Sequence, residues 1–151
     1  MELMARNIRY LIIHHTATAR DATDFDGVKK YHVEARGWDD IGYHYFIGAD
    51  GVVQPGRAEN VVGAHCRADE MNHKSLGVCL AGHFDFEAPT IAQLTSLAMV
   101  VRGLMKKYGV PAENVLGHGE VRGAETSCPG TALRRWVVFF KKELVHFSLT
   151  K

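Results

Sequence analysis

The sequence predicts an α/β domain in which about three helices flank a central mixed β-sheet. Three observations lead there. Short apolar, β-branched runs alternate along the chain with segments of helical period. One pair of runs is joined by an Asp-Gly turn, which implies a hairpin and hence an antiparallel pair within the sheet. The 151 residues contain no internal repeat, low-complexity stretch or linker, so one domain over residues 1–151 is expected.

Residues 8–14 are rich in apolar and β-branched side chains and read as a buried strand. Thr23 is placed to cap a helix over residues 23–35, stopped by Gly37. His44-Tyr45-Phe46-Ile47 and Val52-Val53 flank Ala49-Asp50-Gly51, whose Asp-Gly step supplies the positive φ angles of a hairpin turn. Residues 76–81 form another apolar run of strand length. The best-defined helix spans residues 90–108, where Ile91, Leu94, Leu97, Ala98, Val101, Leu104, Met105 and Tyr108 make one stripe. Thr90 and Gln93 form a capping box at its start, and Gly109 and Pro111 end it. A last helix over residues 131–144 buries Leu133, Trp136, Val137 and Phe140 by the same period.

Apolar residues make up 46% and charged residues 23%, an ordinary globular composition that argues against disorder. The 18 Lys and Arg balance 17 Asp and Glu, giving +1. Such balance offers no electrostatic footprint for nucleic acid or an anionic membrane, so neither is expected as a partner. The longest early apolar run, Leu11-Ile12-Ile13, is far short of a secretory h-region or of the ~20 residues that span a bilayer. Synthesis in the cytoplasm without a signal peptide, and no membrane insertion, are therefore expected. Three cysteines, an odd number, argue against a disulfide framework. Nine histidines direct attention to metal binding and proton transfer.

Four stretches carry candidate chemistry. In Ile12-Ile13-His14-His15-Thr16-Ala17-Thr18 the two histidines fall on opposite faces of a strand, so one faces a site and the other packs or meets solvent. Periodicity does not choose between them. In the second stretch, His118 and Cys128 lie ten residues apart across a Gly-containing loop, outside any helical stripe. A thiolate and an imidazole suit zinc, and a third ligand from a distant strand leaves the fourth position to water. Neither H-E-x-x-H nor C-x-x-C is present. In Gly37-Trp38-Asp39-Asp40-Ile41-Gly42-Tyr43-His44-Tyr45, a tyrosine beside a strand end can donate to developing negative charge. The loop from Gly63-Ala64-His65 to Asn72-His73-Lys74-Ser75 offers imidazoles and an amide to a polar ligand.

Together these stretches resemble the zinc-dependent N-acetylmuramoyl-L-alanine amidases (amidase type 2), the family of phage T-seven lysozyme and the peptidoglycan-recognition proteins. The resemblance runs from about Tyr10 to Pro129, with I-I-H-H-T-A-T, G-W-D-D-I-G-Y-H-Y, N-H-K-S-L-G-V-C-L and the H…C-P-G pair in the family's order. It implies His14, His118 and Cys128 as ligands of one Zn²⁺ per chain, leaving His15 on the other face. It implies Tyr43 and Thr126 as catalytic, and His65 and Asn72 as substrate-binding. The expected reaction is hydrolysis of the amide between N-acetylmuramic acid and L-alanine in peptidoglycan, by a phage or prophage endolysin acting on the wall after release, as a monomer.

Two departures stand out. The interval of ten residues from His118 to Cys128 replaces the eight of phage T-seven lysozyme, a loop change of modest entropic cost. The strand position that holds a glutamate base in one bacterial branch is Val78 or Cys79 here, so no carboxylate base is evident. Two rival readings follow from the same family. One is a recognition module that binds peptidoglycan without cutting it; such proteins have typically lost a metal ligand, commonly the cysteine, and here all three are kept. The other is an added role in binding RNA polymerase, for which no surface is identifiable in the sequence.

Overall fold

Strand β1 (Tyr10–His15) sits inside the sheet because its residues are apolar towards both faces, with Leu11, Ile12 and Ile13 wholly shielded. It pairs in parallel with β4 (Ser75–Leu80) on one side and with β5 (Val115–Gly117) on the other. β4 pairs in parallel with β2 (Tyr45–Ile47), and β2 turns back antiparallel onto β3 (Val53–Pro55). The order is β3-β2-β4-β1-β5, the mixed sheet that the hairpin implied. The computed structural model describes residues 5–149.

The hairpin turn closes as its residues dictate. Gly51 takes φ +82, and Asp50 Oδ1 accepts from Val52 N at 3.0 Å. Helix α1 (Phe25–Lys30) continues as a wider π turn over Tyr31–Ala35. Its cap is Asp24, not Thr23. Asp24 Oδ1 accepts from Gly27 N at 2.8 Å, while the Thr23 hydroxyl donates to Ala19 O at 2.6 Å. A carboxylate in extended backbone reaches the free amide and complements the helix dipole.

A single turn, α2 (Met71–Lys74), leads directly into β4. Helix α3 (Ile91–Tyr108) starts at the Thr90–Gln93 capping box and ends at Gly109 with φ +67, as expected. Ile91 departs from the expected stripe. It is 85% exposed, because the helix meets the sheet only from its second residue pair onwards. Gln93 takes the buried place, donating from Nε2 to Ala81 O at 2.9 Å and accepting at Oε1 from Thr90 N. Helix α4 (Thr131–Leu149) runs past residue 144, since no glycine or proline interrupts residues 145–149. Among the described residues no helix is long and apolar enough to cross a membrane.

The two faces of the sheet have different tasks. Leu97, Val101 and Leu104 of α3 pack with Leu133, Val137 and Phe140 of α4 against Leu11, Ile13, Leu76, Val78 and Leu80. Strand alternation then turns Tyr10, Ile12 and His14 of β1, and Ser75, Gly77 and Cys79 of β4, to the opposite face. The register pairs them in order: Tyr10 with Ser75, Ile12 with Gly77, His14 with Cys79. Arg6 fastens the loops on that side, donating to the carbonyls of Glu59, Val61, Asn72 and Ser75.

Candidate metal centre

His14 stands near the C-terminal end of β1, on the face away from α3 and α4. That settles the choice between neighbouring histidines. His15 turns to the other face, where Nδ1 accepts from Phe84 N at 3.1 Å and the ring meets His83. His118 follows β5 directly, so the parallel pairing of β1 with β5 brings its ring to 4.7 Å from that of His14, centroid to centroid. Cys128 reaches the same point from the loop before α4. Gly119 makes that loop possible, because its N donates to Cys128 O at 2.7 Å and a Cβ would stand 2.6 Å from Thr126 O.

One ligand atom each from His14, His118 and Cys128 lies within 4.8 Å of the others. Cys128 Sγ is 3.6 Å from His14 Nδ1. Tetrahedral zinc, with Zn–N of about 2.0–2.1 Å and Zn–S of about 2.3 Å, needs donor separations of roughly 3.3–3.7 Å. The Cys128–His14 pair stands at such a separation, and the three donors together offer the imidazole and thiolate chemistry that suits a borderline-soft divalent cation. Among the described residues this is the one group of three or more His, Cys, Asp or Glu with ligand atoms so placed.

Electrostatics agrees. Burial, with the other histidines adding to it, holds the pKa of His14 well below its ordinary value, and burial also lowers that of His118. Both rings are thus neutral near pH 7, the form that ligates metals. Burial pushes the Cys128 thiol up to about 12, although His15 N donates to the sulfur at 3.4 Å. A buried thiol of this kind ionises when a cation takes the place of its proton.

Around the cluster, Tyr43 packs its ring 5.1 Å from that of His14, and His32 and Trp38 extend the aromatic wall behind it. Burial first, then the neighbouring Cys79 and Cys128, raise the Tyr43 phenol well above its ordinary pKa, so it is a proton donor at every physiological pH. Its hydroxyl is hydrogen-bonded to Cys79. Cys79 is a neighbour that sequence reasoning considered only as the place of a missing base. Its place opposite His14 in the register is the signal that would have found it.

Two clefts flank the cluster. One, of about 490 Å³, is lined by Thr16, Thr18, Val28, Tyr31, His32 and Tyr43 among others. The other, of about 570 Å³, has Arg36, Trp38, Arg67, His118, Glu125 and Thr126 in its lining. Thr126 is exposed there, and its Oγ1 accepts from Cys128 N at 3.2 Å, so its own proton is free to donate. His65 and Asn72 also border this cleft, but much of their hydrogen bonding is spent inside the fold. His65 is 9% exposed, with Nδ1 at 2.9 Å from His14 Nε2. Asn72 Oδ1 accepts from His65 N and Cys66 N, each at 2.8 Å, which leaves Nδ2 for a ligand. Ser75 lies wholly buried beneath the cleft rather than on it.

The histidines away from the cleft make stability depend on pH. Burial is the main cause that lowers His15 and His44 to about 4 from an ordinary 6.5. Each is neutral in the fold and prefers a proton once unfolded. Their contribution is therefore present above pH 6.5 and is lost as pH falls through 4. Calorimetry should show the unfolding temperature falling steadily from pH 7 to pH 4. A flat profile over that interval contradicts the burial of neutral rings.

Comparison with known proteins follows the same lines. The family profile described as N-acetylmuramoyl-L-alanine amidase matches residues 4–131. Peptidoglycan-recognition protein SC2 of Drosophila melanogaster is 35% identical over an aligned length of 144, a match that covers 88% of this chain and 76% of that protein. The endolysin of Escherichia phage T7 is 41% identical over an aligned length of 123, a match that covers 78% of this chain and 76% of that protein. Among solved structures, the N-acetylmuramoyl-L-alanine amidase LysC from Clostridium intestinale URNW superposes with a TM-score of 0.79 at 34% identity. That match covers 92% of this chain and 86% of LysC.

Proposed function

Because the chain belongs to the N-acetylmuramoyl-L-alanine amidase family and is a peptidoglycan amidase, we propose that it cuts the bond between N-acetylmuramic acid and the L-alanine of the stem peptide, with one zinc ion held by His14, His118 and Cys128. The observation that carries this reading is the convergence of those three residues, from three separate segments, to within 4.8 Å between two clefts. When bound, zinc supplies Lewis acidity that makes a water nucleophilic near neutral pH and polarises the scissile carbonyl.

The chain's own residues do the rest. The clefts seat glycan and stem peptide on either side of the cluster, so the amide lies across it. The Tyr43 phenol, kept protonated by burial, turns from Cys79 to donate to the carbonyl oxygen as that atom gains charge. Thr126 adds a second donor from the opposite rim. The Glu125 carboxylate, in the same cleft, can take a proton from the attacking water and pass it to the departing amine. The 41% sequence identity to the phage T7 endolysin supports a lytic role. The intact ligand set favours cleavage over recognition alone.

The test is a digestion of purified peptidoglycan. Soluble stem peptides should appear, stop on chelation and resume when zinc is restored. Peptidoglycan that is retained by the protein but left intact would assign it to recognition instead.

Zinc entry should also be linked to pH. With the Cys128 thiol at about 12, the proton is still on sulfur at pH 8 and must leave as the metal enters. Zinc affinity then rises by about tenfold per pH unit between pH 7 and 8. Titration calorimetry in buffers of different ionisation heat should read close to one proton released per ion. Affinity independent of pH contradicts Cys128 as a ligand.

A further inference from the structure

We propose that Ser75 and His65 are positioning residues that fix the tautomer of His14, so that its Nδ1 lone pair is presented to the cation. The proposal rests on the reading of His14 as a metal ligand. It follows from which atoms are able to donate.

Ser75 Oγ lies 2.6 Å from Met71 O. A carbonyl only accepts, so the hydroxyl proton points at Met71 and Oγ faces its other neighbour as an acceptor. That neighbour is His65 Nε2, at 3.4 Å, which must therefore carry the hydrogen. With the ring's hydrogen on Nε2, the His65 Nδ1 keeps a lone pair. His65 Nδ1 is 2.9 Å from His14 Nε2, and the hydrogen in that bond belongs to His14. A neutral His14 protonated at Nε2 has its lone pair on Nδ1, the atom 3.6 Å from Cys128 Sγ. The chain of donors runs from His14 through His65 and Ser75 to one backbone carbonyl at the head of α2.

The slot for the His65 ring is built for this. A Cβ on Gly77 would stand 2.6 Å from His65 Cγ, and one on Gly63 would stand 2.7 Å from His65 Cδ2. Gly77 is the residue that β4 turns to this face between Ser75 and Cys79, so the gap in the strand receives the ring. Asn72 holds the backbone on either side of it. The other buried histidines differ in one respect. His15, His32 and His44 each accept a backbone N–H at Nδ1, from Phe84, Gly42 and Gly77. In those rings the Nδ1 lone pair is consumed by the fold; in His14 it is left for a cation. Partners of this kind typically change metal affinity by about 10–100-fold.

The experiment is long-range ¹H–¹⁵N NMR of the imidazoles in the purified full chain of measured zinc content. The expected result is a hydrogen on Nε2 of both His14 and His65, with scalar coupling across the bond from His14 Nε2 to His65 Nδ1. A hydrogen on Nδ1 of His65 overturns the proposal. In variants, His65→Leu should weaken zinc binding by about 10–100-fold. His65→Gln, which keeps an acceptor for His14, should recover most of the loss. Equal loss in both variants, with folding intact, also overturns it. A protein with the expected tautomers that binds no zinc would instead refute the metal assignment and leave the hydrogen-bond order standing. Zinc bound with the opposite His65 tautomer would do the reverse.

Discussion

Cys128→Ala is expected to lower kcat/KM on peptidoglycan by about 10³-fold or more, together with loss of stoichiometric zinc. The sulfur is the only ligand of the three that brings negative charge. Without it, two neutral imidazoles face the cation, and His15 N loses its sulfur acceptor. The affected loop is otherwise held by Gly119 and by Asp85, whose carboxylate accepts from Thr131 N at 2.9 Å, so the fold should survive. Cys66→Ala is the matching control. That thiol is buried beside Met71 and Val121 and acts on Cys128 only through its charge, not as one of the three ligands, so its removal should leave zinc content unchanged. Measured zinc and activity that survive in Cys128→Ala contradict the ligand assignment.

Tyr43→Phe should reduce kcat by about 10²–10³-fold while zinc stays bound. The substitution keeps the ring that packs on His14 and His32 and removes only the hydroxyl, so packing cannot account for a large loss. The phenol is protonated at all relevant pH values, and a donor that meets developing charge has its effect in the transition state. KM should move little. Activity within a few-fold of the parent, with zinc retained, removes Tyr43 from the catalytic group and leaves it a wall of the cleft.

The parts of this molecule that were legible from sequence are those whose signals are local. Helix α3 was readable to the residue at both ends because Thr90, Gln93 and Gly109 act within a turn of themselves. The hairpin was readable for the same reason at Asp50-Gly51. Strand β5 was not, since three residues show no alternation and the strand exists only by pairing with β1. The choice of Asp24 over Thr23 as cap turned on a contact of Thr23 with Ala19 that only the folded loop provides.

The candidate site divides in the same way. His14, His118, Cys128 and Tyr43 were picked out by motif order, and their positions bring them together. Alternation showed that His14 and His15 part company, but which of them faces the cleft depends on the side that α3 and α4 cover. His65 and Ser75 read as groove residues in a polar loop. Their turn inward depends on Gly77 being opposite Ile12, a matter of register between distant segments.

Zinc K-edge X-ray absorption of the purified enzyme tests the central claim most directly. The account predicts one zinc per chain with one sulfur at about 2.3 Å and three nitrogen or oxygen neighbours at about 2.0–2.1 Å, two of them with imidazole scattering. The sulfur shell should vanish in Cys128→Ala. A zinc surrounded by nitrogen and oxygen alone in the parent protein, or an active enzyme that contains no metal, would contradict it.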